Sequence, residues 1–231
     1  MIADARFPDE TVSIGPDGLA GRLFRPARPL GLVLLGHAGE PGDPRGALLA
    51  ESLCRSGLAL LLANLLHPDE ARDPKVANDV ALLAARLFAV TEWACSAHSG
   101  RPPAVCPDAQ VRRGESLPLG YLAAGAASGA ALLAASGPDR RIRAIVACGG
   151  RIDQAGQRAL SRVRAPVRMI VGGRDLPAAG LGKLLLPRLS GPADMILLPG
   201  VGPAFAEAGA LARLAEHAAA WFRQHFAETA A

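Results

Sequence analysis

The chain has 231 residues, of which 50% are hydrophobic, 20% charged and 4% aromatic. That balance excludes disordered, collagen-like and small disulfide-stapled classes, and the length suits a single α/β core burying roughly 70 to 75% of its unfolded surface. The net charge of +4 is local: residues 140–174 carry nine arginines against one acid, Asp153, for +8, so the remainder sums to −4 and nothing points to nucleic acid.

The first ten residues hold Asp4, Arg6, Asp9 and Glu10 with no apolar run, which predicts no secretory signal and a cytoplasmic chain. Thr11 to Ile14 and Leu19 to Arg25 flank Gly15-Pro16-Asp17-Gly18 and read as an antiparallel hairpin. Apolar runs suited to buried parallel strands follow at Gly31 to Leu35, Leu58 to Ala63, Leu119 to Ala123, Ile142 to Ala147, Val167 to Val171 and Met195 to Leu198. Helical spacing places helices at Arg45 to Arg55, Val76 to Ala97, Ala126 to Ala135, Gln154 to Arg162, Ala179 to Arg188 and Phe205 to Phe226. The stretch Ser116 to Pro138 is uncharged, but its prolines, glycines and alanines fit a buried strand turning into a helix better than a membrane span. Ser99 to Pro118 reads as a surface loop entering a strand. Cys54, Cys95, Cys106 and Cys148 show neither a C-x-x-C pair nor a compact disulfide pattern, which predicts reduced thiols.

Strands alternating with helices imply a doubly wound, mostly parallel sheet of about eight strands, helices on both faces, in one domain spanning residues 1–231 without a large cap. Ligands in such sheets bind beyond the carboxyl ends of the strands, so the loops leaving each strand carry the chemistry. The Gly31 to Leu35 strand leaves through Gly36-His37-Ala38-Gly39-Glu40-Pro41-Gly42, whose N–H groups could face an oxyanion; His37 is either part of that loop or a structural histidine. The loop lacks Gly-Lys-Ser/Thr and Gly-x-Gly-x-x-Gly, so no nucleotide cofactor is expected, and no metal-ligand spacing occurs.

After Leu119 to Ala123 come Ala124-Gly125-Ala126-Ala127-Ser128-Gly129, a strand-to-helix turn of small residues like a nucleophile elbow. The central position falls on Gly125; an alternative register places Ser128 there. The exit Gly172-Gly173-Arg174-Asp175 puts Asp175 where a triad carboxylate would orient a histidine, although it could equally cap the next helix. The last exit, Pro199 to Glu207, contains no histidine, and His217 and His225 lie well past it.

The chain resembles the α/β-hydrolase superfamily, and within it the dienelactone-hydrolase-like branch of small bacterial proteins. The resemblance rests on Leu34-Leu35-Gly36-His37-Ala38-Gly39, Pro118-Leu119-Gly120-Tyr121, Gly149-Gly150-Arg151-Ile152-Asp153, Ala165-Pro166, Val171-Gly172-Gly173-Arg174-Asp175 and Leu198-Pro199-Gly200, and covers nearly the whole chain. It implies ester or lactone hydrolysis by a Ser or Cys nucleophile, an Asp and a His, roles that land by position on Gly125, Asp175 and Pro203. Only the acid survives, and a serine without a base to accept its proton is a poor nucleophile. The leading expectation is a fold that has lost hydrolase chemistry and binds a small molecule, in a pocket lined by His37, Ala38, Gly39 and Ala126, or a protein partner, with oligomerisation possible and no membrane role. The rival is an active ester or lactone hydrolase using Ser128 with an unconventional base such as His37. A third reading is an acidic partner on the arginine-rich segment, with Arg151 and Arg174 as anion-binding candidates; relatives of this kind are sometimes encoded with phosphoribosyltransferase domains.

Overall fold

Runs of Leu, Val, Ile and Ala too apolar to face water on either side become the inner strands of one sheet. The computed structural model describes residues 7, 9–37, 44–96 and 117–227. Its strands are β1 (Asp9–Ile14), β2 (Leu19–Phe24), β3 (Leu32–His37), β4 (Ala59–Asn64), β5 (Leu119–Ala124), β6 (Ile142–Cys148), β7 (Val167–Gly172) and β8 (Ala193–Leu198). Its helices are α1 (Pro44–Arg55), α2 (Pro68–Ala71), α3 (Pro74–Ala77), α4 (Val80–Cys95), α5 (Ala126–Ala135), α6 (Gln157–Leu160), α7 (Leu176–Leu185) and α8 (Ala210–Ala227). The strand order is β1-β2-β4-β3-β5-β6-β7-β8. β1 pairs antiparallel with β2 and β2 with β4; all other pairs are parallel.

Side chains alternate across the sheet and feed two cores. Leu34, Leu61, Tyr121, Ala147 and Met169 meet Leu83, Leu87, Ala130 and Leu160 on the face covered by α4 to α7. Val33, Leu60, Leu122, Val146 and Ile170 meet Leu53, Leu214 and Phe222 of α1 and α8 on the other. Gly120 lets α8 approach: a Cβ there would lie 2.5 Å from the Phe222 ring. Thr91 and Tyr121 share a buried hydroxyl hydrogen bond of 2.7 Å.

Four expected helices differ in extent. Val76 to Ala97 is broken because Asp79 caps α4, its carboxylate accepting from the Ala81 and Leu82 N–H groups, while Ala97 lies outside the described residues. Gln154 to Arg162 becomes a 3-10 turn, Ile152–Ala155, and the short α6, separated by Gly156 at φ +79°. Ala179 to Arg188 starts earlier, at Leu176, under the Asp175 cap, and ends in a 3-10 turn. The last helix begins at Ala210 rather than Phe205, because the preceding residues form a pinned loop. The Ser116 to Pro138 stretch resolves into β5 and α5, and among the described residues no helix is long and apolar enough to cross a membrane. The loop expected at Ser99 to Pro118 lies outside the described residues up to position 116.

The chain steps from β3 outward to β4 and then back across to β5. That reversal opens a crevice beyond the carboxyl ends of β3 and β5, the usual ligand position in open α/β sheets.

Candidate functional site

β5 ends at Ala124 and α5 begins at Ala126, so Gly125 alone turns the chain, at φ +60° and ψ −132°. Such a conformation is strained for any residue with a Cβ. The neighbouring turn must come close to allow it: a Cβ on Gly150 would lie 2.7 Å from the Gly125 carbonyl oxygen and 2.9 Å from Ser128 Oγ. A Cβ on Gly125 would meet nothing within 4 Å. The turn therefore has the tightness of an elbow and presents its central residue to open space, but that residue has no reacting atom.

Ser128 is fully buried, and its Oγ donates to the Ala123 carbonyl at 3.2 Å. It does not line the cavity described below, which corrects the alternative register: α5 starts at Ala126, and its third residue points into the packing. Ala126, expected to line the pocket, opens α5 outside the lining as well.

Asp175 caps α7, its carboxylate accepting the Ala178 N–H at 3.1 Å, and it also lines the cavity. Arg174 and Arg151 face carboxylates: Arg174 lies 3.6 Å from Glu207, and Arg151 holds Asp153 through Nε and Nη2, each at 2.9 Å. Neither lines the cavity.

The β8 to α8 loop is fastened at several points. Gly173 N–H donates to Leu198 O at 2.8 Å, Arg174 N–H to Val201 O at 2.9 Å, and Gly202 N–H to a Glu207 carboxylate oxygen at 2.9 Å. Backbone N–H groups, Gly202 among them, hold the Glu207 carboxyl below the usual carboxylate range. Arg45 of α1 donates to the Ala204 carbonyl. Pro203 lines the cavity at the position expected of a base, and its ring nitrogen, tied into a tertiary amide, accepts no proton. Phe205, buried beneath it, has φ +51°, the one positive value among described residues other than glycine.

These elements enclose about 430 Å³, within the range of small-molecule sites. Leu35, Leu49, Leu62, Leu214 and Phe205 supply an apolar wall, with Arg45, Asn64 and Asp175 as polar points. Cys148, at the end of β6, also lines it; burial pushes its thiol up to about 12, so it is no thiolate at neutral pH. His37 closes β3 beside Asn64 of β4, whereas Ala38 and Gly39 lie outside the described residues. Sequence reasoning missed Arg45, Asn64, Cys148 and Phe205; of these, Asn64 and Cys148 are the last residues of β4 and β6, a position that the strand-exit rule could have singled out.

No family model matches the chain. Two curated proteins of Mycobacterium tuberculosis, from strains CDC 1551 / Oshkosh and H37Rv, are 37% identical over 227 residues, 96% of this chain; both are provisionally named as a phosphoribosyl transferase. The chain spans about half of their length, 48%. A crystal structure of dienelactone hydrolase from Anabaena variabilis is 34% identical, covers 95% of this chain and 99% of its own, and superposes with a TM-score of 0.81. Carboxyl esterase 2 from the fungus Tuber melanosporum shares the fold at 13% identity, with a TM-score of 0.68 over 98% of this chain and 89% of its own.

Proposed function

Since the chain belongs to the dienelactone-hydrolase-like α/β hydrolases, we infer that it keeps the family's elbow and cavity as a binding site and has given up ester hydrolysis. The observation that carries this reading is Gly125: the tight turn is in place and its open side faces the cavity, yet nothing there can attack a carbonyl. With Pro203 at the base position and Cys148 held as a neutral thiol, the described lining offers Asp175 as its one acid-base group. A lone carboxylate with neither a nucleophile to serve nor a histidine to orient does not complete a hydrolase triad. The apolar wall favours a small, mainly apolar ligand, with Arg45, Asn64 and Asp175 as its polar contacts.

The test is fluorophosphonate labelling with a panel of activated esters, on the full chain and on Ser128→Ala and His37→Ala. The expected result is no labelling and no turnover above denatured protein in all three. Robust labelling abolished by Ser128→Ala overturns the reading, and turnover abolished by His37→Ala identifies the base that rescues catalysis.

A further inference from the structure

The arginine-rich segment resolves into two populations. Arg141 pairs with Asp139 and Glu92, Arg151 with Asp153, Arg168 with Asp194 at 2.6 Å, and Arg174 with Glu207. Arg140, Arg143, Arg158, Arg162 and Arg164 have no carboxylate partner among the described residues. Four of these five line a single cleft of about 380 Å³, and only Arg158 lies elsewhere.

The cleft is bounded by Ile142 at the start of β6 and Pro166 just before β7. It therefore opens at the amino ends of the parallel strands, away from the elbow. Arg140 and Arg143 come from the α5 to β6 connection and the head of β6, Arg162 and Arg164 from the segment after α6, so two backbone segments bring positive charge to one place. The carboxylate in the lining, Asp139, is engaged by Arg141 Nε at 2.7 Å and by the Arg141 N–H at 3.0 Å. Four like charges lining one cleft make it a focus of positive potential, which an anion bound there would neutralise. Guanidinium forks bind phosphate oxygens two at a time, and the volume admits a small molecule rather than a folded partner.

We propose that this cleft is a binding site for a small phosphorylated molecule carrying at least two phosphate groups, held by Arg140, Arg143, Arg162 and Arg164. The site is independent of the elbow cavity and does not depend on whether that cavity is catalytic.

The probe is inorganic pyrophosphate, titrated calorimetrically into the full chain in phosphate-free buffer near physiological ionic strength. Saturable one-to-one binding is expected, weakened at least about tenfold by the pair Arg143→Ala and Arg162→Ala and only partly restored by lysine at both positions, because lysine keeps the charge but loses the fork. Arg158→Ala, removing an arginine outside the cleft that likewise has no carboxylate partner among the described residues, is expected to leave the affinity within about twofold, as a solvated charge at a distance is screened. Circular dichroism and an undiminished melting temperature of the unliganded double variant separate lost binding from lost folding. Absence of saturable binding, an equal loss in Arg158→Ala, or preference for a single-stranded oligonucleotide at equal phosphate concentration overturns the proposal.

Discussion

A side chain at position 125 would have to sit at φ +60° and ψ −132°, which costs a residue other than glycine about 1–3 kcal/mol. A nucleophilic enzyme tolerates that strain because the turn presents the reacting atom. With glycine there, the same backbone forms without strain and the presented side is empty. Gly125→Ser is therefore expected to fold normally and to lose about 1–3 kcal/mol in urea unfolding. Gly150→Ala is expected to lose more, since it combines positive φ, +81°, with a Cβ 2.7 Å from the Gly125 oxygen. A larger loss at 125 than at 150 would show that the open space beside Gly125 is misassigned. The positions of Gly125, Asp175 and Pro203 were legible in the sequence because each strand's end fixes the first residues to leave it. Arg45 was not, because its contact with Ala204 spans 159 positions and depends on how α1 lies across the β8 to α8 loop.

Among the elements, the region after β4 departs most from its periodicity. Apolar spacing ran through Val76 to Ala97 as one helix, but spacing does not register Asp73 and Asp79, whose carboxylates cap α3 and α4 and end whatever precedes them. α2 is held to α4 by Glu70, which accepts from Arg86 Nη2 at 2.8 Å and from the His67 N–H at 2.9 Å. Arg86 Nη1 also reaches the Leu65 carbonyl at 2.9 Å. The Arg86 hydrogen bond is the main cause holding the Glu70 carboxyl down to about 2. A lowered carboxyl stabilises the fold fully above its unfolded value near 4.5 and ceases to do so as pH falls through about 2. The Glu70 side chain is 32% exposed, so solvent screening limits the effect to about 1 kcal/mol. Glu70→Gln is expected to cost that amount at pH 7, the gap from wild type closing between pH 4.5 and about 2 in acid unfolding. A gap of constant size across that range would refute the assignment.

Across the whole molecule, the sheet separates two kinds of surface. Its carboxyl end carries the elbow, Asp175 and an apolar cavity, while its amino end carries the cleft lined by four arginines that have no carboxylate partner among the described residues. The inner strands were legible to within two residues, because a strand buried on both faces has few polar positions to confuse its limits. Which strands neighbour each other was not, since β3 joins β5 across a gap of more than 80 residues, and local spacing does not encode such pairings. The summed charge of +4 likewise concealed its division into arginines that close ion pairs and arginines that face one cleft.

The central claim is that the family's cavity persists as a binding site without the chemistry, and native mass spectrometry of the full chain mixed with short-chain activated esters reads both halves in one spectrum. The account predicts a complex with the intact ester that vanishes on denaturation and leaves the chain mass unchanged. An acyl adduct that survives denaturation in the wild type and is missing from Ser128→Ala, or the absence of any complex, would contradict it.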